Sequence, residues 1–546
     1  MVEVTKFNLN EVFPAIENAI KGSSFIAIDA EFTGLDLDST NNGRLFDTME
    51  ERYRKLRNRA MSFIPCQIGI STFTKSETEN SYFVETYVFF IRPYMVGSVD
   101  KRFVCQASSL DFLSKFDFDF NKFINEGIPY INEDEEKTVL KEIEDGTIGY
   151  LHEKVGELGA KRKQDLLINK KFNRKLEKSA IKEDLPEVKG FDNKLLLPKD
   201  KIFHEYFQLA EIRRKYPSLW AYSEGDMIVV EMVQSEKRKE LLENSKNEKD
   251  GLIDFYLGFT KVFRLLKSSK KPIVGHNLLM DLLLFYQNFH KPLPENFSEF
   301  KKELHSVFPN VFDTRYIWLN IKKFSNLKDI PKGSSLFDLF ETFKNPTDNI
   351  STLYSPNIEH TNCDKYVKED FPHESGYDSY VTGWVFLRIC HLIAMKKVTD
   401  SIFIQPQSFK QHLNAILPFV NKLNIGRSRI RYINLAGDDP LPVCEFLYLS
   451  HRTSKSNLNL PELSRLFDKY PMVELKPARN KKGAVLAIGN MRSFDDILKD
   501  FKDDPVFIVT KYSNWRHSQL VSNALWLSTL GAGCIVSFFI WKYASR

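Results

Sequence analysis

The sequence predicts an α/β fold in which a mixed sheet flanked by helices forms the main domain. Short apolar runs that end in polar residues, with amphipathic segments between them, indicate alternating strands and helices. A charged insertion interrupts this pattern, and an uncharged run near the C-terminus predicts a transmembrane helix. A smaller α+β module is predicted before that helix. The predicted domains are a main domain in two parts (1–145 and 251–400), the insertion (146–250), the module (401–515) and the membrane span (520–541).

Composition excludes some classes of protein. The 546 residues are 42% hydrophobic and 13% aromatic, which excludes a chain that is disordered throughout. The six cysteines are scattered without a Cys-x-x-Cys pair, so the sequence disfavours a disulfide framework and a zinc site and favours a reducing compartment. The net charge of +5 is compatible with a nucleic-acid partner, but ordinary globular proteins carry similar charges.

The first predicted strand, 25–29 (FIAID), leads into two candidate acids. Further strands are predicted at 67–73 and 86–92. Asp29 and Glu31 lie on the same side of a strand, because side chains alternate between its faces. Neighbouring carboxylates repel each other unless a cation lies between them, and oxygen ligands are typical of Mg²⁺ or Mn²⁺ sites. The alternative for an isolated Asp-x-Glu is a solvated loop.

Two later segments carry the remaining candidates. In IVGHNLLMDLLLFYQNF, a strand at Ile273–Gly275 precedes an apolar helix that contains Asp281. Burial of this acid is costly unless it faces a metal, and the alternative is a polar stripe on the helix. In HESGYDSYVTG, His373 precedes Asp378 by five residues, and Asp378 opens another apolar helix. A histidine, with an ordinary pKa of about 6.5, is suited to accept a proton from water.

The predicted insertion is recognised by its charge. Between Lys161 and Gly190 there are ten Lys/Arg and five Asp/Glu, and residues 235–250 form a second charged run. Such runs are usually solvated loops or exposed helices, and the alternative is a basic surface that guides RNA.

Residues 429–512 predict the order βαββαβ of an RNA-recognition fold. The segment 482–488 (KGAVLAI) has aliphatic residues where base-stacking rings are expected, so packing or homodimerisation is favoured over RNA binding.

The segment 520–541 contains 22 residues without a charge. About 20 apolar residues in a helix span a bilayer, and Trp526 and Trp541 are suited to its two interfaces. A buried core helix is the alternative. Because only the residues KYASR follow, the segment predicts a tail anchor whose catalytic part faces the cytosol. The basic flanking residues favour the mitochondrial outer membrane, with the endoplasmic reticulum as the alternative.

The candidate residues follow the order D-x-E…D…H-x-x-x-x-D, which resembles that of DEDD exonucleases with a histidine base. The chain resembles the poly(A)-specific ribonuclease family over about residues 20–145 and 250–435. The matching segments are FIAIDAEFTGL, FDTMEERYRKLR, FVCQASSLDFL, FDFNKFINEGIPYIN, VGHNLLMDLLLFYQNFHKPLP, FPNVFDTRY and HESGYDSYVTG. The resemblance implies an RNase H-like core and a 3′→5′ exonuclease that releases nucleoside 5′-monophosphates from single-stranded RNA.

The resemblance also implies a role for each matching residue. It assigns the binding of two Mg²⁺ ions, with Mn²⁺ as the alternative, to Asp29, Glu31, Asp281 and Asp378. It assigns the role of general base to His373 and contact with the RNA 3′ end to Phe32 and Leu35. In two-metal hydrolysis, ions about 4 Å apart activate water and stabilise the leaving 3′ oxygen.

Two features of the chain depart from that family. The family's insertion carries a nucleic-acid-binding signature, Arg-x-x-x-His, and no histidine of this chain has an arginine four residues before it. The combination of a nuclease with the predicted C-terminal anchor resembles a membrane-anchored branch of the family, which trims the 3′ ends of piRNA precursors. That branch implies a PIWI-bound RNA substrate and a Tudor–KH scaffold as partner. The alternatives are a membrane-anchored mRNA deadenylase and a catalytically silent RNA-binding scaffold, which the presence of all five catalytic positions disfavours.

Overall fold

A computed structural model of the chain describes residues 2–37, 43–148, 194–199, 204–217, 219–324, 333–346, 354–363, 365–398, 406–443, 445–453, 458–478, 483–513 and 519–544. The charged stretch between Lys161 and Gly190 lies outside the described residues. The chain forms two compact units. The first comprises residues 1–37, 59–293 and 307–420, and the second comprises residues 38–58, 294–306 and 421–546.

The described strands are β1 (Val2–Val4), β2 (Phe25–Phe32), β3 (Pro65–Lys75), β4 (Ser81–Phe90), β5 (Lys194–Pro198), β6 (Leu219–Glu224), β7 (Met227–Met232), β8 (Ile273–Gly275), β9 (Val311–Asp313), β10 (Asn357–His360), β11 (Lys422–Asn424), β12 (Tyr432–Asn434), β13 (Glu445–His451), β14 (Val473–Pro477), β15 (Gly483–Ile488) and β16 (Phe507–Lys511).

The described α-helices are α1 (Leu9–Gly22), α2 (Met49–Ser62), α3 (Ala107–Lys115), α4 (Glu133–Glu144), α5 (Glu205–Lys215), α6 (Ser235–Asn244), α7 (Lys246–Ser269), α8 (Leu279–Phe285), α9 (Phe297–Val307), α10 (Thr314–Phe324), α11 (Leu336–Lys344), α12 (Lys365–Lys368), α13 (Ser375–Val398), α14 (Phe409–Ile416), α15 (Leu460–Phe467), α16 (Met491–Asp500) and α17 (Gln519–Ala544). Single π-helical turns span Lys122–Glu126 and Tyr286–His290.

The first unit is built on a mixed seven-stranded sheet with the order β1-β4-β3-β2-β8-β9, and β10 also pairs with β4. Strand β3 is antiparallel to β2 and β4, whereas β8 is parallel to β2 and β9. Helix α13 packs across β2 and β3. In the core beneath it, the ring of Phe25 lies 4.6 Å from that of Phe73 and 5.0 Å from that of Phe386. The predicted mixed sheet flanked by helices is therefore confirmed.

The described part of the insertion contains a small folded element. Strands β5, β7 and β6 form an antiparallel sheet in that order. Residues of helix α5 and the sheet share a small apolar core that includes Leu209, Ile212 and Val230. Arg213 is buried, lies 3.7 Å above the Trp220 ring and donates a hydrogen bond to Glu248 at 2.7 Å. The second charged run begins with the exposed helix α6, as its composition predicts.

The second unit contains a four-stranded antiparallel sheet with the order β14-β15-β13-β16. Helix α15 connects β13 to β14, and helix α16 connects β15 to β16. The predicted order βαββαβ is therefore observed. One face of the sheet packs on the two helices through a core that contains Leu447, Leu486, Phe467 and Ile497.

The predicted C-terminal transmembrane helix is wrong. Helix α17 has 26 residues, but among the helices in the described ranges none is both long enough and apolar enough to cross a membrane. Polar residues interrupt the apolar run of α17, including Asn523, Ser528 and Thr529. A bilayer core requires about 20 predominantly apolar residues. This finding also overturns the membrane partner and the mitochondrial or endoplasmic reticulum location that were inferred from the span.

Candidate active site

Strand β2 carries the first two candidate acids. Residues 25–28 are buried, whereas Asp29 and Glu31 are partly exposed. Because side chains alternate along a strand, the two carboxyl groups lie on the same side of the sheet. Glu31 is paired with Gln67 of β3, and the pairing shifts register immediately after it, at Phe32. The acids therefore lie where regular pairing between the two strands ends.

Asp281 reaches the same place from helix α8. Strand β8 pairs with β2 in the sheet, and α8 begins four residues after β8 ends. Asp281 is 8% exposed, and burial raises its pKa, whereas a hydrogen bond from the backbone amide of Ala30 offsets a small part of that rise. Ala30 lies between Asp29 and Glu31, so this hydrogen bond places Asp281 beside both acids.

His373 and Asp378 come from the start of helix α13. The backbone N–H of His373 donates a hydrogen bond to Oδ2 of Asp378 at 3.2 Å. His373 has φ of 66°, in the left-handed region that residues other than glycine seldom adopt. One ligand atom each from Glu31, His373 and Asp378 lie within 4.8 Å of one another. The structure therefore brings the loop histidine and two of the predicted acids to one point.

The pKa shifts show that the four acids form one electrostatic cluster. Burial raises the pKa of Asp29 well above its usual range, and Asp378, Asp281 and Glu31 raise it further. Burial, followed by Asp378 and Asp281, raises the pKa of Glu31 to about 8. Burial also raises the pKa of Asp281 to about 8 and that of Asp378 to about 7. A cluster of largely buried carboxylates with one imidazole at its margin fits a hard divalent cation, which would offset their mutual repulsion.

Asp313, at the end of β9, is a residue of the site that the sequence reasoning missed. It is fully buried, and its Oδ1 accepts hydrogen bonds from the backbone amides of Asn277 at 3.0 Å and Arg315 at 3.0 Å. It also raises the pKa of Asp281. Asp313 thus holds the turn before α8 and caps α10. The signal in the sequence was an acid that directly precedes an amphipathic helix.

Gln67 and two glycines position the start of α13. Oε1 of the buried Gln67 accepts hydrogen bonds from the backbone N–H of Ser375 at 3.1 Å and from its hydroxyl at 2.9 Å. A Cβ at Gly69 would lie 1.9 Å from the carbonyl oxygen of Ser375, and one at Gly376 would lie 2.3 Å from the Val88 side chain. Glycine is therefore required for α13 to approach the sheet closely enough to present its acid.

Aromatic residues surround the histidine. The His373 ring lies 4.7 Å from that of Phe112 and 4.3 Å from that of Phe116, between centroids. Burial lowers the pKa of His373 below its ordinary value, which favours the neutral form at pH 7. A neutral imidazole in this position can accept a proton. Nothing in the spacing of these two phenylalanines ties them to the distant histidine, so the sequence does not predict their place in the site.

The two residues predicted to contact the RNA 3′ end follow the acids along the chain. Phe32 ends β2 and is partly buried, whereas Leu35 is 52% exposed. The backbone amides of Leu35 and Asp36 donate hydrogen bonds to Oε1 of Gln106 at 3.0 and 3.1 Å. The loop after β2 is therefore anchored near its start, and contact of these side chains with RNA stays a prediction.

Thermal stability should depend on divalent cation and pH together. A carboxyl whose folded pKa is raised favours the folded, metal-free state at low pH, and this contribution is lost as pH rises through the folded pKa values of about 7 to 8. A cation binds the deprotonated groups. We therefore expect the rise in Tm caused by 5 mM Mg²⁺, relative to EDTA, to be at least about 2 °C larger at pH 8.5 than at pH 6. Differential scanning fluorimetry measures this, and an equal rise at both values contradicts the prediction.

Comparisons with known proteins show which sequences the chain is similar to. A protein-family model described as CAF1 family ribonuclease matches residues 4–386. The "Pre-piRNA 3′-exonuclease trimmer" of Bombyx mori is 30% identical to this chain over 557 residues, covering 99% of each chain. The "Poly(A)-specific ribonuclease PNLDC1" of Mus musculus is 28% identical over 534 residues, covering 95% of each chain.

Among solved structures, one titled "Structure of S. pombe Pop2p - Mg2+ and Mn2+ bound form" is similar to the chain at 14% sequence identity, with a TM-score of 0.35. The similarity covers 74% of this chain and 95% of that chain.

Proposed function

Because this chain belongs to the CAF1 family of ribonucleases, it is a 3′→5′ exoribonuclease, and we propose which of its residues perform the reaction and on which RNA. The proposed metal ligands are Asp29, Glu31, Asp281 and Asp378, and the proposed general base is His373. The observation that carries the proposal is the convergence of these residues, which come from β2, α8 and the start of α13. The proposed cation is Mg²⁺, with Mn²⁺ as the alternative.

Each residue of the proposed site has its own role in hydrolysis. Bound divalent cations supply activation of the attacking water and stabilisation of the negative charge on the leaving 3′ oxygen. His373, whose pKa burial lowers, accepts the proton of that water. Asp313 and Gln67 hold the helices that carry Asp281 and Asp378. The bond between phosphorus and the 3′ oxygen breaks, and the water oxygen becomes part of the released nucleoside 5′-monophosphate. The leaving 3′ oxygen takes up a proton and becomes the 3′ hydroxyl of the shortened RNA.

The proposed substrate is the 3′ end of a piRNA precursor held by a PIWI protein. The relative named as a pre-piRNA 3′-exonuclease trimmer matches the chain along almost its whole length, which supports this choice. A second candidate is deadenylation, since the Mus musculus relative is named as a poly(A)-specific ribonuclease. The two candidates share their chemistry and differ in what presents the RNA. We place Phe32 and Leu35 against the terminal nucleotides in both.

Substrate preference separates the two candidates. For the trimmer, we expect A-tailed and mixed-sequence 3′ overhangs to be shortened at rates that differ by less than about tenfold. A tenfold ratio corresponds to about 1.4 kcal/mol, which is no more than a single base-specific contact contributes at roughly 1–3 kcal/mol. RNA loaded in a PIWI protein should be shortened faster than the same RNA when free, and shortening should stop where the PIWI protein shields the strand. Gel analysis of 5′-labelled RNA measures both effects, with and without a Tudor–KH scaffold.

The matched controls are a heat-released sample of the loaded RNA and the Glu31→Gln variant. Rapid removal of free poly(A), with mixed-sequence ends spared and no gain from loading, would instead identify a deadenylase. Binding of RNA without shortening of any substrate would favour the silent scaffold.

A further inference from the structure

The sheet of the second unit has an outward face, opposite its helices, that carries aromatic residues. Along β13, Leu447 and Leu449 are buried against the helices, so Phe446 and Tyr448 point to the outward face. In RNA-recognition folds, rings in such positions on the two central strands stack on bases. Here β13 and β15 are the central strands. This face therefore has some of the chemistry of a base-stacking surface, although the side chains of β15 on it, Val485 and Ala487, are aliphatic and buried.

The chain's own residues already lie on this face. Leu45 is 1% exposed and packs with Ala487 of β15, and Phe46 packs beside it. The backbone N–H of Leu45 donates a hydrogen bond to Oε2 of Glu474 at 2.8 Å. The ring of Phe46 stacks on that of Phe446, with 5.9 Å between centroids and 28° between planes. Leu45 and Phe46 are called here the docked pair.

Cationic side chains lie beside the stacked rings of Phe46 and Phe446. Nζ of Lys476 lies 4.2 Å from the centroid of the Phe46 ring, and the guanidinium of Arg429 lies 5.4 Å from that of Phe446. Arg427 forms an ion pair with Glu474 at 3.3 Å, the same carboxylate that accepts from Leu45. A ring stacked on an aromatic residue with a cation above it is the way a protein holds a nucleobase. Phe46 occupies the place that a base would take.

We propose that the outward face of this sheet is an internal docking site for Leu45 and Phe46. The docked pair covers the face, so RNA does not bind there. The module thereby acts as a clamp that holds the chain at the docked pair, after the active-site strand β2. A tethered occupant competes at an effective concentration commonly in the millimolar range, which free RNA does not reach. Leu45 follows Leu35 by ten residues along the chain, and Gln106 anchors the chain at Leu35. The clamp provides a second anchor for the chain, at Leu45 and Phe46. The inference deepens the proposed function, because it assigns the module to positioning the 3′-end contacts.

Kinetic constants of four variants test the clamp. Phe46→Ala and Phe446→Ala should each raise the KM for single-stranded RNA about 3- to 10-fold, the range expected for one aromatic pair, with kcat within about twofold of the wild type. The double variant should be no worse than either single variant, since both remove the same contact. Phe46→Tyr should retain the wild-type KM. Val506→Ala, an exposed apolar residue of the same module outside the docked face, is the matched control.

RNA binding in EDTA, measured by fluorescence anisotropy, tests the closure of the face. Removing Phe46 should leave the affinity unchanged or lower. If Phe46→Ala instead tightens binding several-fold and Phe446→Ala reverses the gain, the face is an RNA site with a cover and the proposal fails. An unchanged KM in both single variants also overturns it. A wild-type chain without nuclease activity contradicts the proposed function, whereas active wild type with unaffected variants contradicts only the clamp.

Photocrosslinking of wild-type protein to RNA containing 4-thiouridine tests whether RNA binds the outward face. This test does not depend on whether the variants fold. Crosslinks to Phe446 or Tyr448 contradict the docking site. Crosslinks that appear only at residues of the first unit support it.

Discussion

Glu31→Gln is expected to reduce hydrolysis of single-stranded RNA by at least about 10³-fold, equivalent to roughly 4 kcal/mol of transition-state stabilisation. The amide has nearly the shape of the carboxylate but lacks its charge, and a carboxylate oxygen of Glu31 lies within 4.8 Å of possible ligand atoms of Asp378 and His373. A cation bound there loses an anionic ligand at the point where charge develops in the transition state. RNA binding in EDTA should survive, because the substitution removes negative charge from the site. Release of nucleoside monophosphate at saturating Mg²⁺ measures the first effect, and anisotropy measures the second.

The matched control for this variant is Glu85→Gln. Glu85 is also a partly buried glutamate in the first-unit sheet, on β4, and its carboxylate accepts a hydrogen bond from the hydroxyl of Tyr87 at 2.7 Å. This control should keep nearly full activity, and EDTA should silence both it and the wild type. Hydrolysis by Glu31→Gln at a rate near that of the wild type would refute the assignment of the site.

His373→Ala should lower kcat by roughly 10²–10⁴-fold, the usual contribution of a general base. The hydrogen bond from residue 373 to Asp378 comes from the backbone N–H, so alanine retains it. The left-handed φ of 66° at this position disfavours alanine, and His373→Asn, which tolerates that conformation better, provides a second variant. Both variants should keep the Mg²⁺-dependent rise in Tm, because the four carboxylates remain.

The outcome of this experiment also decides between two roles for the histidine. The ring is close enough to Glu31 and Asp378 to act as a third ligand. Loss of the Mg²⁺-dependent rise in Tm in both variants, with the fold intact by circular dichroism, contradicts the role of base and makes His373 a ligand. Activity that is reduced by less than about tenfold in both variants contradicts either role.

Local patterns predicted the parts of the site that lie on regular elements. The apolar run before Asp29 and Glu31 indicated a buried strand, and that strand is β2. The strand at Ile273–Gly275 has the predicted bounds, and the helix that carries Asp281 begins shortly after it. Alternation and helical periodicity are properties of short segments, so one sequence is enough to show them. The order of the acids predicted their convergence before any distance was known.

Residues whose role depends on distant partners could not be predicted in this way. Gln67 matters because Ser375, which lies 308 positions away, donates two hydrogen bonds to its amide oxygen. Asp313 and the two phenylalanines beside His373 act through similar long-range contacts. The prediction of a membrane span was wrong for another reason. Residues 520–541 carry no charge, but polar uncharged residues also count against insertion into a membrane.

Spacing and residue chemistry within short segments were enough to predict the mixed α/β core, the order βαββαβ of the second module and the acids and histidine that are candidates for the site. Which polar residues support those acids, and what covers the outward face of the C-terminal sheet, became visible in the folded chain alone. The docked pair precedes Phe446 by about 400 positions along the chain. Contacts over such separations are selected by the packing of the whole unit, and no local pattern records them.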